Sequence, residues 1–415
     1  MLSKFFKPGR RIDALRDHPA GDLFEGFAQV LSEAGYATSA ARRHLRAAEH
    51  FIYWTRRRGI AVRELDEQSL ARFEQHLSRC RCANYDHADP ARVAHRTREF
   101  MAYLQDARVI TSSTLKDRTN DPLLLSAFCQ WMRQQRGTCE VTLSDYSRYL
   151  REWLRDRGEE PSQWNAHSVR AFVLEKSRTC GWSAAKNCTT ALRMFLRFLI
   201  VDGRCAIGLD AAIPLLARWR LAALPKYLQS EDVERLIASC DRTSPVGLRD
   251  RAILLLLARL GLRAGDIMHL CLRDIDWRGG WIHVCGKGRC PTRLPLSQEV
   301  GQAIVDYLQN GRPQTKADAV FVRRRAPFRA FACNSAISVI VVRALRRTGV
   351  VRPSRGAAHL LRHSVATSIL QHCGSLQDIA ALLRHRSIET TQIYAKVDIT
   401  ALRQIAQPWP EVQLC

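Results

Sequence analysis

His359-Leu360-Leu361-Arg362-His363 sets two histidines and an arginine at i, i+3 and i+4, so all three side chains leave one face of one helix. Toward the C-terminus, His385 is followed nine residues later by Tyr394, across a turn in which Ser387 can N-cap the next helix. Toward the N-terminus, an apolar helix over 248–260 closes on Gly261-Leu262-Arg263, with Gly261 as its C-cap. Between them lie two β-like runs, Trp281-Ile282-His283-Val284-Cys285 and Thr292-Arg293-Leu294-Pro295-Leu296, joined by the turn-rich Gly286-Lys287-Gly288-Arg289. Further helical patterns cover 298–308, 334–347, 357–372, 375–383 and 387–397, and Ser375 with Asp378 has the capping-box spacing. The stretch after residue 222 therefore reads as mainly helical with one small sheet. Two arginines, imidazoles, one lysine and one tyrosine suit a phosphodiester, because guanidinium forks match the non-bridging oxygens and a phenol can attack phosphorus.

The preceding half reads as helices throughout. Phe24, Phe27, Ala28 and Leu31 fall at helical spacing, and Leu45, Phe51 and Trp54 do so more loosely. This half also repeats itself at a shift of about one hundred residues. Trp54 is followed five residues later by Gly59 after an arginine-rich turn, and Trp153 by Gly158 in the same way. Upstream, Phe27 answers Phe128; downstream, Phe100-Met101-Ala102-Tyr103-Leu104 answers Phe195-Leu196-Arg197-Phe198-Leu199. Loose alignment of two amphipathic stretches is easily obtained, but these markers recur in one order. They predict two small all-α domains of similar design, over 1–115 and 116–222, ahead of a third over 223–415.

Length and charge bound the function. The chain has 415 residues, 46% of them apolar and 25% charged, enough to bury several cores. Its longest apolar stretch, near 253–258, falls far short of the ~20 residues of a membrane span, and the N-terminus lacks the apolar core of a secretory signal. Fourteen cysteines without framework spacing suit reduced thiols, so a cytoplasmic protein with no membrane partner is expected. Lysine and arginine number 64 against 40 acidic residues, a net charge of +24. So basic a chain points to a polyanion, with nucleic acid first.

Other chemistries find no support. Gly286-Lys287 is followed by Gly288, with no glycine at 281, so the turn is not a Walker A loop; no His-Glu-x-x-His occurs. Cys80-x-Cys82 with His87 invites zinc, but no second close Cys/His pair completes a finger, and the thiols read better as helix-end groups. No metal or cofactor site is expected.

Gly261-Leu262-Arg263, the Lys287 hairpin, His359-x-x-Arg362-His363, Leu383-Arg384-His385 and Thr391-Gln392-Ile393-Tyr394 resemble, in order and rough separation, the tyrosine recombinase (phage integrase) family. The likeness is specific over about 223–415, where five weak motifs in register make accident improbable. Residues 116–222 resemble that family's helical core-binding domain. Residues 1–115 look like an extra copy of it, an addition more reminiscent of recombinases on mobile elements. The implied fold is mainly α: two small all-helical SAM-like domains, then a mixed, mostly helical catalytic domain with a small antiparallel sheet.

The resemblance implies site-specific cutting and rejoining of double-stranded DNA. Arg263 and Arg362 would clamp the scissile phosphate and Tyr394 would attack it, leaving a 3′-phosphotyrosyl bond and a free 5′-hydroxyl. His359 would serve as base, Lys287 as the acid on the leaving 5′-oxygen, and His385 as a hydrogen-bond partner of the phosphate. Asp266 and His363 would support them, His363 by bracing its helix. The covalent intermediate conserves bond energy, so neither ATP nor a metal is implied. A homotetramer, or a mixed tetramer with related recombinases, would synapse two sites, with the tail after Tyr394 docking on a neighbour. Arg42, Arg43 and Arg46 in the first helical copy and Lys186 and Arg193 in the second are the expected DNA contacts. Two readings stay open beside this one: relaxation of supercoils in the manner of a type IB topoisomerase, and a non-cutting DNA-binding accessory protein. Two departures from the family pattern stand out. Asp266 replaces the usual Glu, which would loosen Arg263, and Arg384 replaces the usual Gly before His385, adding bulk and charge.

Overall fold

The computed structural model describes the chain except residues 84, 86–88, 111–120, 217–223, 286–290, 352–355, 386, 399–401 and 404–415. The chain forms two compact units: Met1–Thr111 together with Ala223–Cys415, and Ser112–Ala222. No described helix is long and apolar enough to cross a membrane.

The first unit opens with α1 (Leu2–Phe5), α2 (Arg10–Arg16), α3 (Gly21–Glu33), α4 (Thr38–Arg56), α5 (Glu67–Leu77) and α6 (Pro90–Asp106). Local chemistry sets the helix starts. The Asp66 carboxylate accepts the Ser69 N–H at 2.7 Å to cap α5, and Asp89 accepts the Arg92 N–H at 3.0 Å ahead of Pro90. Phe24, Phe27, Phe51, Phe73 and Phe100 are buried together in its core. The second unit contains α7 (Leu123–Arg136), α8 (Glu140–Arg157), α9 (Ala166–Thr179) and α10 (Trp182–Val201) around its own core.

The two helical sets use the same contacts. Phe27 meets Phe100 at 5.1 Å and Tyr103 at 5.4 Å between ring centroids, while Phe128 meets Phe195 at 5.3 Å and Phe198 at 5.9 Å. Trp54 packs edge-on against Phe73 at 5.4 Å, and Trp153 against Phe172 at 5.2 Å. Gly59 and Gly158 both take positive φ, 69° and 76°, which explains why a glycine follows each Trp helix.

The remainder of the first unit begins with α11 (Ser230–Ala238), α12 (Pro245–Leu260) and α13 (Ala264–His269). The strands β1 (Ile275–Asp276), β2 (Trp281–Cys285) and β3 (Pro291–Pro295) follow, then α14 (Gln298–Asn310), α15 (Ser335–Thr348), α16 (Ala357–Gln371) and α17 (Leu376–Leu383). Residues 252–257 of α12 are all fully buried, because α11, α14, α15 and α16 pack around it. The sheet is antiparallel in the order β1-β2-β3, with Ile282 paired to Ile275 and Leu294. Ile282 and Val284 face the core while His283 and Cys285 face away, the period-two alternation of a half-covered sheet. The expected capping box forms, Ser375 Oγ accepting the Asp378 N–H at 3.1 Å and Asp378 accepting the Ser375 N–H at 2.8 Å.

One expected helix is different. Residues 387–397 form two short 3₁₀ turns, Ile388–Thr390 and Gln392–Val397, rather than one α-helix. Ile388, Thr390 and Thr391 are β-branched and poor helix formers, and Thr391 is fully buried with its hydroxyl turned to His385. Within the same unit, the loop after α3 docks on the chain near Phe328, whose N–H donates to the Ala34 carbonyl at 3.2 Å. Lys316 also pairs with Glu33 at 2.9 Å. Gly35, at φ 79°, leaves the space that the Phe328 ring fills.

Candidate active site

Gly261 ends α12 in the left-handed region at φ 56°, and the chain turns so that Arg263 caps α13 in extended conformation. The Arg263 N–H donates to the Asp266 carboxylate at 3.0 Å. Arg362, buried on α16, donates from Nη1 to the Gly261 carbonyl and from Nη2 to the Leu383 carbonyl, tying the end of α12 to the end of α17. Arg263 Nη2 donates to the next carbonyl along, that of Arg384, at 3.4 Å. Bonding to successive carbonyls brings the two guanidinium groups to the same chain segment, and each fork has further N–H groups for which no bond among the described residues is seen.

His385 leaves α17 just beyond these carbonyls, and its Nδ1 lies 2.7 Å from the Thr391 hydroxyl, which fixes the ring and leaves Nε2 as its other polar atom. Tyr394 is 2% exposed and belongs to a small core with Ala366, Leu370, Ile379 and Leu383. His363 Nδ1 stands 2.8 Å from the Tyr394 hydroxyl. The imidazole on the phenol is thus His363, expected to brace the helix, and not His359, the expected base. His359 is exposed on α16.

Burial and mutual repulsion of positive charges govern the electrostatics of the site. Burial, then the charges of Arg263 and Arg384, pull the Arg362 pKa down to about 10. Burial also lowers Arg263, with Arg384 adding to the effect and Asp266 opposing it. Burial followed by the neighbouring His359 and Arg362 takes His363 down to about 4, and burial with Arg362 and Arg263 does the same to His385. His359 is lowered by desolvation and by both arginines, so it lies within their electrostatic reach. Burial pushes the Tyr394 phenol up to about 12 against the opposing pull of Arg362. At neutral pH the phenol is protonated and bonded to a neutral His363, within reach of the Arg362 charge.

The two departures from the family pattern answer each other. Arg384 Nη2 forms an ion pair with the Asp266 carboxylate, both side chains being buried. The loosening of Arg263 expected from a shorter Asp266 is offset, because the same carboxylate holds the Arg263 backbone N–H and the Arg384 side chain.

Residues 226–400 match the phage integrase family. The chain is 37% identical over 391 residues to "Putative integrase/recombinase y4rA" of Sinorhizobium fredii, covering 92% of this chain and 93% of that protein. The chain belongs to the phage integrase family of tyrosine recombinases. It is a site-specific tyrosine recombinase. Tyrosine recombinase XerD of Listeria innocua is 31% identical over 294 residues, covering 68% of this recombinase and 96% of XerD. The fold is shared with a XerH recombinase solved on its difH substrate after cleavage, with a TM-score of 0.52 at 18% identity over 81% of this chain and 93% of that one. A lambda integrase dimer bound to a COC′ core site gives 0.52 at 17% identity, over 70% and 98%.

The other predicted residues of the recombinase fall as follows. Lys287, between β2 and β3 in the sequence, lies outside the described residues, as does most of the tail after Tyr394. Arg43 and Arg46 are exposed on α4 and line a small cleft with Arg96, whereas Arg42 donates to the Phe5 carbonyl and packs on Phe6. In the second unit, Lys186 is exposed beside the Trp182 ring at 5.2 Å, and Arg193 donates to the Ile213 carbonyl at 3.3 Å. Thr391 belongs to the tyrosine motif, but its bond to His385 has no sequence signal, because nothing local marks a threonine that will be buried against a histidine six residues earlier. The cysteines have histidine neighbours from elsewhere in the chain. His87 is outside the described residues, but His50 and His76 bring to Cys80 and Cys82 the second pair that the sequence reading found missing. His76-x-x-x-Cys80-x-Cys82 was a local signal; His50, from another helix, was not.

Proposed function

We propose that this recombinase cuts and rejoins duplex DNA through Tyr394, with Arg263 and Arg362 holding the scissile phosphate. The observation that carries the proposal is the pair of guanidinium groups bonded to the successive carbonyls of Leu383 and Arg384, with the Tyr394 phenol held by His363 within reach of the Arg362 charge. The pair matches the two non-bridging oxygens, and its stabilisation grows as charge develops on the phosphorane. His385 Nε2 is the third donor to that phosphate. Tyr394 Oη forms the bond to phosphorus while the bond to the 5′-oxygen breaks. The phenol proton passes to His359, and Lys287 protonates the leaving 5′-oxygen, leaving a 3′-phosphotyrosine and a 5′-hydroxyl. Rejoining reverses each transfer, so the chemistry calls for no cofactor.

A phenol 2% exposed does not reach a duplex. Engagement of DNA must break the His363–Tyr394 bond and carry the two 3₁₀ turns outward, where His359, beside both arginines, takes over from His363. Arg43, Arg46 and Lys186, exposed on helical faces of a chain with net charge +24, supply phosphate contacts beyond the site, joined by Arg42 and Arg193 once these leave the Phe5 and Ile213 carbonyls. Residues 1–115, 116–222 and 223–415 act as an added DNA-gripping module, the core-binding module and the catalytic module. A cytoplasmic tetramer, of this chain alone or mixed with related recombinases, assembles on two sites.

A nicked suicide duplex tests the assignment. Tyr394→Phe should bind it and form no covalent adduct, and an undiminished adduct would remove Tyr394 from the role. His359→Ala should slow adduct formation by about 100-fold or more. His363→Ala, which releases the phenol, should slow it far less; the reverse order would make His363 the base.

A further inference from the structure

We infer that the first helical set holds a structural zinc ion on His50, His76, Cys80 and Cys82. His50 comes from the middle of α4, His76 from the last turn of α5, and the two cysteines from the segment that follows. Their ligand atoms all lie within 4.8 Å of one another. Cys80 Sγ is 3.5 Å from His50 Nε2, and Cys82 Sγ is 3.5 Å from His76 Nε2. A tetrahedral zinc with bonds of about 2.3 Å to sulfur and about 2.0–2.1 Å to nitrogen requires sulfur–nitrogen edges of roughly 3.5 Å. The observed edges meet that requirement before any ion is placed.

The surroundings hold the ligands in aim. His50 is 1% exposed, with Tyr85 stacked on it at 4.2 Å and Phe73 edge-on at 5.1 Å. His76 is flanked by Trp54 and Phe73, each at 5.9 Å. The Cys82 N–H points at Cys80 Sγ at 3.4 Å, a contact that strengthens once the sulfur is a thiolate. Two thiolates and two neutral imidazoles give Zn²⁺ a neutral complex, two protons leaving as the thiols bind. Two nitrogen and two sulfur donors in a closed set favour zinc over magnesium or calcium, and give a structural rather than an open site.

The fold itself does not ask for these residues. The second unit keeps the aromatic contacts of the first, at a shift of 153 − 54 = 99 residues between the two tryptophans. At that shift His50, His76, Cys80 and Cys82 answer to Tyr149, Glu175, Thr179 and Gly181. The same helical packing therefore stands without a Cys/His set. In the first set the ion would join α4 to α5 and to the segment entering α6, fixing the helix that carries Arg43 and Arg46.

Metal analysis of the full-length protein purified without chelator tests the inference. About one zinc per chain is expected, released when a mercurial blocks the thiols. It should fall below about a tenth of an equivalent in Cys82→Ser and His76→Gln, and stay in Cys139→Ser, an exposed thiol outside the cluster. Should the two ligand variants fail to fold, Co²⁺ titration of the metal-stripped wild-type chain decides. A thiolate-to-cobalt charge-transfer band with intense tetrahedral visible bands, displaced by one equivalent of Zn²⁺, supports the site. A wild-type chain that takes up neither metal stoichiometrically, or ligand variants that keep their zinc, would overturn it.

Discussion

Asp266→Ala should be the most destabilising single change at the active site that leaves every proposed catalytic group in place. Asp266 and Arg384 are 5% and 8% exposed at the side chain. At an effective dielectric near 20, a contact pair of unit charges is worth about 4 kcal/mol. Desolvating the two ions consumes a similar amount, so the pair as a whole adds little. Removing one partner is another matter. The Arg384 Nε and Nη1 atoms have no hydrogen-bond partner among the described residues, so a guanidinium without Asp266 would be a buried, uncompensated charge beside Arg362 and Arg263. The expected loss is about 3–5 kcal/mol. Arg384→Gly should cost less, because it removes the buried cation and leaves Asp266 its bond from the Arg263 N–H. Arg384 also sits at φ 53°, where glycine is favoured by about 1 kcal/mol. Native-state hydrogen exchange of α13 and α16 amides reads the opening free energy in each variant. The double variant should be more stable than Asp266→Ala alone, with a coupling of about 2 kcal/mol, within the range for contacting residues. Effects that add to within about 0.5 kcal/mol would refute the reasoning.

Acid should weaken the catalytic part through His363 and His385. Their pKa values fall from 6.5 unfolded to about 4 folded, so the unfolded chain holds more protons in that window. Stability then drops as pH falls from 6.5 toward 4, and the dependence of Tm on pH in a His363→Gln, His385→Gln variant should be visibly shallower; an unchanged profile would count against both shifts. Gly35→Val should separate the loop after α3 from Phe328, since a Cβ there would stand 2.4 Å from the ring and φ is 79°. Faster hydrogen exchange around residues 326–330 with little change in α12 is the expected readout. Affinity for duplex DNA should fall steeply with salt, the logarithmic slope approaching −0.9 per phosphate neutralised, roughly. A flat response would mean that the +24 charge is spread without contacting the backbone.

Features that depend on near neighbours can be read from the residues alone. The face shared by His359, Arg362 and His363 follows from helical spacing, the start of α17 from Ser375 and Asp378, and the hairpin from its alternation. The packing aromatics of the two helical stretches recur in order along the sequence, and in the structure the Phe27–Phe100 and Phe128–Phe195 contacts repeat. Tertiary structure decided the partners. Arg384 meets Asp266 across 118 residues, His363 meets Tyr394 across 31, and Cys80 meets His50 across 30. No local pattern fixes such distances, because they depend on how whole helices pack, and packing is settled by buried surfaces contributed from the entire unit. The break of 387–397 into 3₁₀ turns has the same origin, since burial of Thr391 and Tyr394 outweighs the periodicity that suggested one helix. Burial also shifts the titration of the site. Tyrosine and histidine bring ordinary pKa values from the sequence, and the loss of water inside the fold moves the phenol up to about 12 and its histidine down to about 4.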